Sequence, residues 1–145
     1  MFSKYQLCVI AYLAAAIPAT SALGCYSRGP TWDQVNVQRG NEGFPVIAKE
    51  ICGTGGGAGD YPANYEVEGC LAGGDVHANY KIKNNLNAYS ALDYSKCIDS
   101  VLTEMFACSH GSEQNHVGFF FYLDPNDGGK WYFPPDSERS KADYF

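Results

Sequence analysis

The chain has 145 residues, 46% of them hydrophobic, and carries 10 Lys and Arg against 16 Asp and Glu, a net charge of −6. An acidic chain with no basic stripe is poorly suited to a phosphate backbone or an anionic lipid surface, so nucleic acid and membrane are not expected partners. The length allows one domain with a sizeable core and no second one.

Residues 1–24 read as a secretory signal peptide. Lys4 precedes the apolar run "LCVIAYLAAAI", and the small residues of "PATSALG" offer cleavage after Ala22 or after Gly24. The run is too short to cross a bilayer as a stable helix, and no later segment is long and apolar enough to insert. Removing Lys4 from the ten basic residues leaves nine against 16 acidic ones, a net charge of −7. The product is expected to be exported and extracellular. It carries no Asn-x-Ser/Thr triplet, so no N-linked glycan is expected.

After the signal, "CYSRG" reads as a short edge strand, and "TWDQ" fits a Thr-x-x-Gln capping box. The glycines of "RGNEGF" argue against a long helix running on from it. "FPVIAKEIC" is the better helix, with Pro45 in its first turn and Gly53 just past its end. "GTGGGAG", residues 53–59, lacks the Gly-Lys-Ser/Thr of a phosphate-binding loop and reads as a flexible connector. Strands follow around "NYEVEGCLA" and "VHANYKIKN".

"SALDYSKCIDSVLTEMFACSHG" has Cys97, Ile98, Val101, Leu102, Met105 and Cys108 on one helical face. Ser90 or Asp93 is placed to cap its start, and Gly111 to end it. "SEQNHV" then reads as a turn into the strand "VGFFFYL", where the loss of alternation in "FFFY" predicts either a strand covered on both faces or an exposed aromatic one. "DPNDGG" reads as a turn. Residues 134–145, "PPDSERSKADYF", form a polar tail expected to be disordered. Short connections between sequential strands favour an α+β class: a small disulfide-bonded layer fold, an antiparallel sheet with two packed helices, spanning residues 25–133.

Cys8 leaves with the signal, so the mature chain keeps Cys25, Cys52, Cys70, Cys97 and Cys108. In an oxidising compartment these five predict two disulfides and one cysteine over. On a continuous helix Cys97 and Cys108 lie about 16 Å apart along the axis. They should therefore not bond to each other, and each, if bridged, reaches back to an upstream cysteine. The remaining cysteine is either a buried thiol or an intermolecular bridge that would make a homodimer.

Few residues point to chemistry. His110, Glu113 and His116 have the types for zinc or acid–base work, but no third or fourth ligand is marked, and a histidine near a helix C-terminus is favourable for its own sake. "DPNDGG" has oxygens but not the spacing of a calcium loop. "GDYPANYEVEG", residues 59–69, resembles the "YPH…NYEG" region of guanyl-specific fungal ribonucleases of the T-one type. Ala63 replaces the histidine of that motif, which leaves Tyr61, Glu66 and Glu68 as strand residues. The aromatics carry a different suggestion. The chain has 11 Tyr, 8 Phe and 2 Trp, of which Phe2, Tyr5 and Tyr12 go with the signal; flat rings pack on sugar C–H faces while amides and carboxylates take hydroxyls.

Read in order, "GCYSRGPTW", "AKEIC", "EGC", "YSKCIDSVLTEMFACSHGS" and "FFFYLDPNDG" resemble a family of small secreted fungal proteins, the Y-three-like glycan-binding domains. The resemblance covers most of residues 24–129. Ser112 stands where the family has a second glycine, and no cysteine follows Asp-Pro-Asn. The resemblance implies helices packed on a β-sheet and glycan binding without catalysis. Cys108, His110, Gly111, Asp124, Pro125 and Asn126 match its motif, as structural or ligand-contacting positions. The expected function is that of a secreted, lectin-like carbohydrate binder with no cofactor or metal, acting on a glycan of a host or competitor surface. The alternatives are an effector related to T-one-type ribonucleases, catalytically inactive, or a protein-binding effector. The candidate ligand contacts are His116, Phe120, Tyr122, Asp124, Asn126 and Trp131.

Overall fold

A computed structural model describes residues 24–128. Residues 1–23 of the signal segment, the tail and Trp131 lie outside the described residues. Three helices and six strands follow in order: α1 (Trp32–Gln38), α2 (Phe44–Cys52), β1 (Gly59–Tyr61), β2 (Glu66–Leu71), β3 (Val76–Asn84), β4 (Ser90–Leu92), α3 (Tyr94–Ala107), β5 (Ser112–His116) and β6 (Phe119–Asp127). The class is α+β. Strands β2, β3, β6 and β5 lie in that spatial order in one antiparallel sheet, and β1 pairs with β4 in a second, two-stranded one.

Local signals start the helices where the sequence puts them. Thr31 closes a capping box: its hydroxyl accepts from Gln34 N–H at 3.2 Å, and its own N–H donates to Gln34 Oε1 at 2.8 Å. This gives a short third helix beyond the two expected. Pro45 sits in the first turn of α2. Asp93, not Ser90, caps α3, accepting from Ser95 N–H and Lys96 N–H, because Ser90 is already paired with Tyr61 in the small sheet. The helix stops at Ala107, so Gly111 is not its cap; Gly111 instead packs where a Cβ would stand 2.4 Å from Leu123 O.

One core forms between the helices and the inner face of the larger sheet. Trp32 and Val35 of α1, Ile47, Ala48 and Ile51 of α2, and Val101 and Met105 of α3 meet Ala78, Tyr80 and Ile82 of β3 and Phe119, Phe121 and Leu123 of β6. Both disulfides tie this layer together. Cys52–Cys97 joins α2 to α3, and Cys25–Cys108 joins the N-terminal segment to the end of α3. Each α3 cysteine thus reaches upstream, and Cys70 belongs to neither bridge.

Four segments differ from the sequence reading. "GTGGGAG" is a packed turn: Gly55 and Gly57 N–H donate back to Glu50 O and Ile51 O of α2, and the Tyr80 and Tyr61 hydroxyls donate to Gly55 O and Gly57 O. Gly55 and Gly57 are there for space, since a Cβ would stand 2.3 Å from the Tyr80 hydroxyl oxygen at Gly55 and 2.7 Å from Ile51 O at Gly57. "CYSRG" contributes only a bridge, Cys25 to Ser112. "SEQNH" is the edge strand β5, not a turn, and the turn is the two-residue Val117–Gly118. β6 runs through "DPND", so those residues are strand; Pro125 lies beyond the last β5 pair, Ser112 with Leu123, where a missing N–H is tolerated.

Val117 has φ +48° and Gly118 φ +87°, as a two-residue hairpin turn of the primed type requires. A β-branched residue is strained there, and Val117 is 64% exposed, so its side chain contributes little packing in return. Val117→Asn is expected to stabilise the fold by about 1 kcal/mol, read as a higher Tm or urea midpoint with an unchanged m-value. A lower midpoint would show that Val117 makes a contact that outweighs its strain.

Candidate functional site

Because β6 lies between β3 and β5, its side chains alternate between the core and an open outer face. Phe119, Phe121, Leu123 and Pro125 are buried, while Phe120, Tyr122, Asp124 and Asn126 are half-buried on the other side. The aromatic run therefore does alternate, although every residue in it is a ring or nearly so. Phe120, Tyr122, Asp124 and Asn126 form one row of about 20 Å along the strand. They face the outward positions of β3, Lys83, Lys81, Asn79 and His77, in direct register.

His116 does not join them. It pairs with Phe119 and so points inward; its Nε2 contacts Glu104 Oε1 on α3, and its ring stands edge-on to Phe121 at 5.8 Å. Glu104 is buried, with its second oxygen, Oε2, taking no hydrogen bond among the described residues. The pair links β5 to α3 from within. His110, the other histidine of the segment, bonds Gly29 O through Nδ1 at 2.8 Å and pins the N-terminal loop. Among the described residues no group of three or more His, Cys, Asp and Glu could hold a metal ion.

Two residues absent from the candidate set complete the open face. Cys25 pairs with Ser112 across the β5 edge and is bonded to Cys108, and the next residue, Tyr26, lies on the outer side with Glu113. Tyr26 meets Tyr122 edge-to-face, with ring centroids 6.3 Å apart. Its hydroxyl donates to Glu113 Oε1 at 2.7 Å, and the Tyr122 hydroxyl donates to Asp124 Oδ2 at 2.8 Å. Asn126 donates to the same Asp124 oxygen at 2.6 Å. Recognising "SEQNH" as a strand would have found Glu113, since it alternates with Ser112. Tyr26 required the disulfide pairing.

The electrostatics follow from this packing. Burial, then the bond to Asp124, pushes the Tyr122 hydroxyl up to about 12. Burial and the bond to Glu113 push Tyr26 well above the usual tyrosine range. Both phenols therefore stay neutral at any physiological pH and serve as rings and fixed donors. On the β2 side of the face, Lys81 lies 3.6 Å from Glu66 and 3.5 Å from Glu68. Glu66 and Glu68 of the ribonuclease-like stretch are thus on the open face, whereas Tyr61 is 1% exposed in the core with its hydroxyl on Gly57 O. Cys70 is half-buried on the same face, opposite Asn79.

No protein-family model and no curated protein matches the chain.

Two predictions follow from the two sides of the sheet. His116→Ala strips the buried Glu104 carboxylate of its partner and is expected to cost about 2 kcal/mol; the figure lies below the 3–5 kcal/mol of a fully buried pair because the His116 side chain is 26% exposed. Chemical denaturation measures it, and a loss under about 0.5 kcal/mol would mean the pair is solvated. On the outer side, the Tyr122 value of about 12 lies above the unfolded value of about 10. Its contribution to stability is whole below about pH 10 and is lost as pH rises toward about 12. A Tyr122→Phe variant should lose less stability than the parent across that interval in alkaline melts.

Proposed function

We propose that the chain is a secreted, non-catalytic carbohydrate-binding protein of lectin type, whose ligand lies along the open face of the β2-β3-β6-β5 sheet. The observation that carries this reading is the gathering of Phe120, Tyr122, Asp124 and Asn126 on one face, with Tyr26 packed beside Tyr122. A sugar presents apolar C–H faces and a fringe of hydroxyls. Rings held by β6 and by the segment beside it suit the first, and a carboxylate fixed by Tyr122 and Asn126 suits the second. The row is long enough for an oligosaccharide, and its groups are already oriented, which lowers the entropy cost of binding.

Export is supported by the signal-like N-terminus and by two disulfides, which persist in oxidising compartments. No helix among the described residues is long and apolar enough to cross a membrane. The resemblance to Y-three-like domains points the same way, toward a fungal protein that recognises glycans of a host or competitor surface.

A glycan array probed with the oxidised protein tests the reading. Binding to a defined oligosaccharide class is expected, reduced at least about tenfold, or ~1.4 kcal/mol, by Tyr122→Ala and by Asp124→Ala, and unchanged by a folded His116 variant. No glycan above background would overturn it. Cleavage of RNA by the same preparation would favour the ribonuclease-related alternative.

A further inference from the structure

The tyrosine end of the open face has a charge that a neutral sugar does not call for. Glu113 on β5 and Asp124 on β6 flank the Tyr26–Tyr122 pair, and each carboxylate is bound by a tyrosine hydroxyl through one oxygen. Their other oxygens, Glu113 Oε2 and Asp124 Oδ1, accept no hydrogen bond within the described residues. The four groups feel one another: the charge on Glu113 acts on both phenols, and so does that on Asp124.

No cation among the described residues neutralises this cluster. Lys81 is the cross-strand neighbour of Tyr122, but its ammonium lies between Glu66 and Glu68 on the β2 side. Lys83 faces Phe120, one row further along, and forms no ion pair with either acid. His77 faces Asn126 at the other end, its Nδ1 on Gly128 O. Arg28 is exposed in the loop that follows Tyr26, without a salt bridge among the described residues. The surrounding molecule, at a net charge of −6, adds to the negative potential.

Two ring faces at an angle beside two carboxylates suit an organic ammonium, which is drawn to the negative face of an aromatic ring and to the acids behind it. We infer that the ligand of this face is an amino sugar carrying its free, protonated amine: a β-linked glucosamine chain, with one ammonium seated among Tyr26, Tyr122, Glu113 and Asp124. The inference rests on the glycan reading of the face. Lysine-rich peptide offers the same ammonium but lacks the fringe of hydroxyls and the flat C–H faces that Asn126 and Phe120 suit.

Isothermal titration with three oligomers of equal length, a glucosamine oligomer, its fully N-acetylated form and a cello-oligosaccharide, decides the matter below the pKa of the amine, with oligolysine as a fourth arm. The glucosamine oligomer is expected to bind at least tenfold tighter than either neutral chain and tighter than oligolysine, and to weaken as salt rises. Glu113→Gln and Asp124→Asn keep the size of each side chain and should each reduce that preference several-fold, with thermal melts verifying the fold. Equal or tighter binding of a neutral chain overturns the ammonium site and leaves the glycan reading standing. Tighter binding of oligolysine overturns it in favour of a peptide partner. No binding in the saccharide arms overturns both. Wild-type salt dependence alone remains informative if a variant fails to fold.

Discussion

The pleat of β6 is the constraint on which the rest depends. It lies between β3 and β5, and its register with both sends Phe119, Phe121 and Leu123 to the core and Phe120, Tyr122, Asp124 and Asn126 to the open face. A slip of one residue would exchange the two sets, exposing large apolar rings and burying a carboxylate. Such a slip is costly enough that the inner packing, not the outer face, sets the register. The tight Val117–Gly118 turn fixes it from one end, and the burial of Pro125 beyond the end of β5 fixes it from the other.

The inner face is well covered by helices and disulfides, and among the described residues the outer face carries none. Strands that face solvent on one side need polar or amphipathic residues there, so the composition of the outer face has a structural reason of its own. What a solvent-facing sheet does not require is Tyr26. That ring is delivered from outside the sheet, by a segment held through Cys25–Cys108, the Cys25–Ser112 bridge and the His110 bond to Gly29 O. A disulfide closing 83 residues of sequence thereby positions a single side chain next to Tyr122.

Much of the fold was legible in the residues because its signals are local. Thr31 and Gln34, Pro45, Asp93 and the spacing of Cys97 and Cys108 each act within a few residues of where they stand. The alternation of "HANYKIK" shows one face, and the α+β class follows from element order. Less legible was what depends on distant partners. "GTGGGAG" has the composition of a linker and is fixed by the Tyr61 and Tyr80 hydroxyls arriving from β1 and β3. "SEQNH" has too few apolar residues to announce a strand, because its outward positions face solvent and its inward ones are Ser112, Gln114 and His116. The candidate site was half visible for the same reason. Every second residue of β6 could be read off once its direction was known, but the face of His116 was set by the parity of β5, and Tyr26 by a disulfide partner 83 residues away.

The division of labour across the sheet also accounts for the two kinds of carboxylate. Glu104 is inside, against His116, where an unpartnered charge is expensive and the pair serves cohesion between α3 and β5. Glu113 and Asp124 are outside, each held by one phenol and open on its other oxygen, where the cost of keeping a charge is low because water reaches it. A charge held in place without being neutralised contributes little to folding. It also retains most of its capacity to attract something else, and two of them beside two neutral rings make that end of the face more favourable to a cation than the row of Phe120 and Asn126 on either side of it.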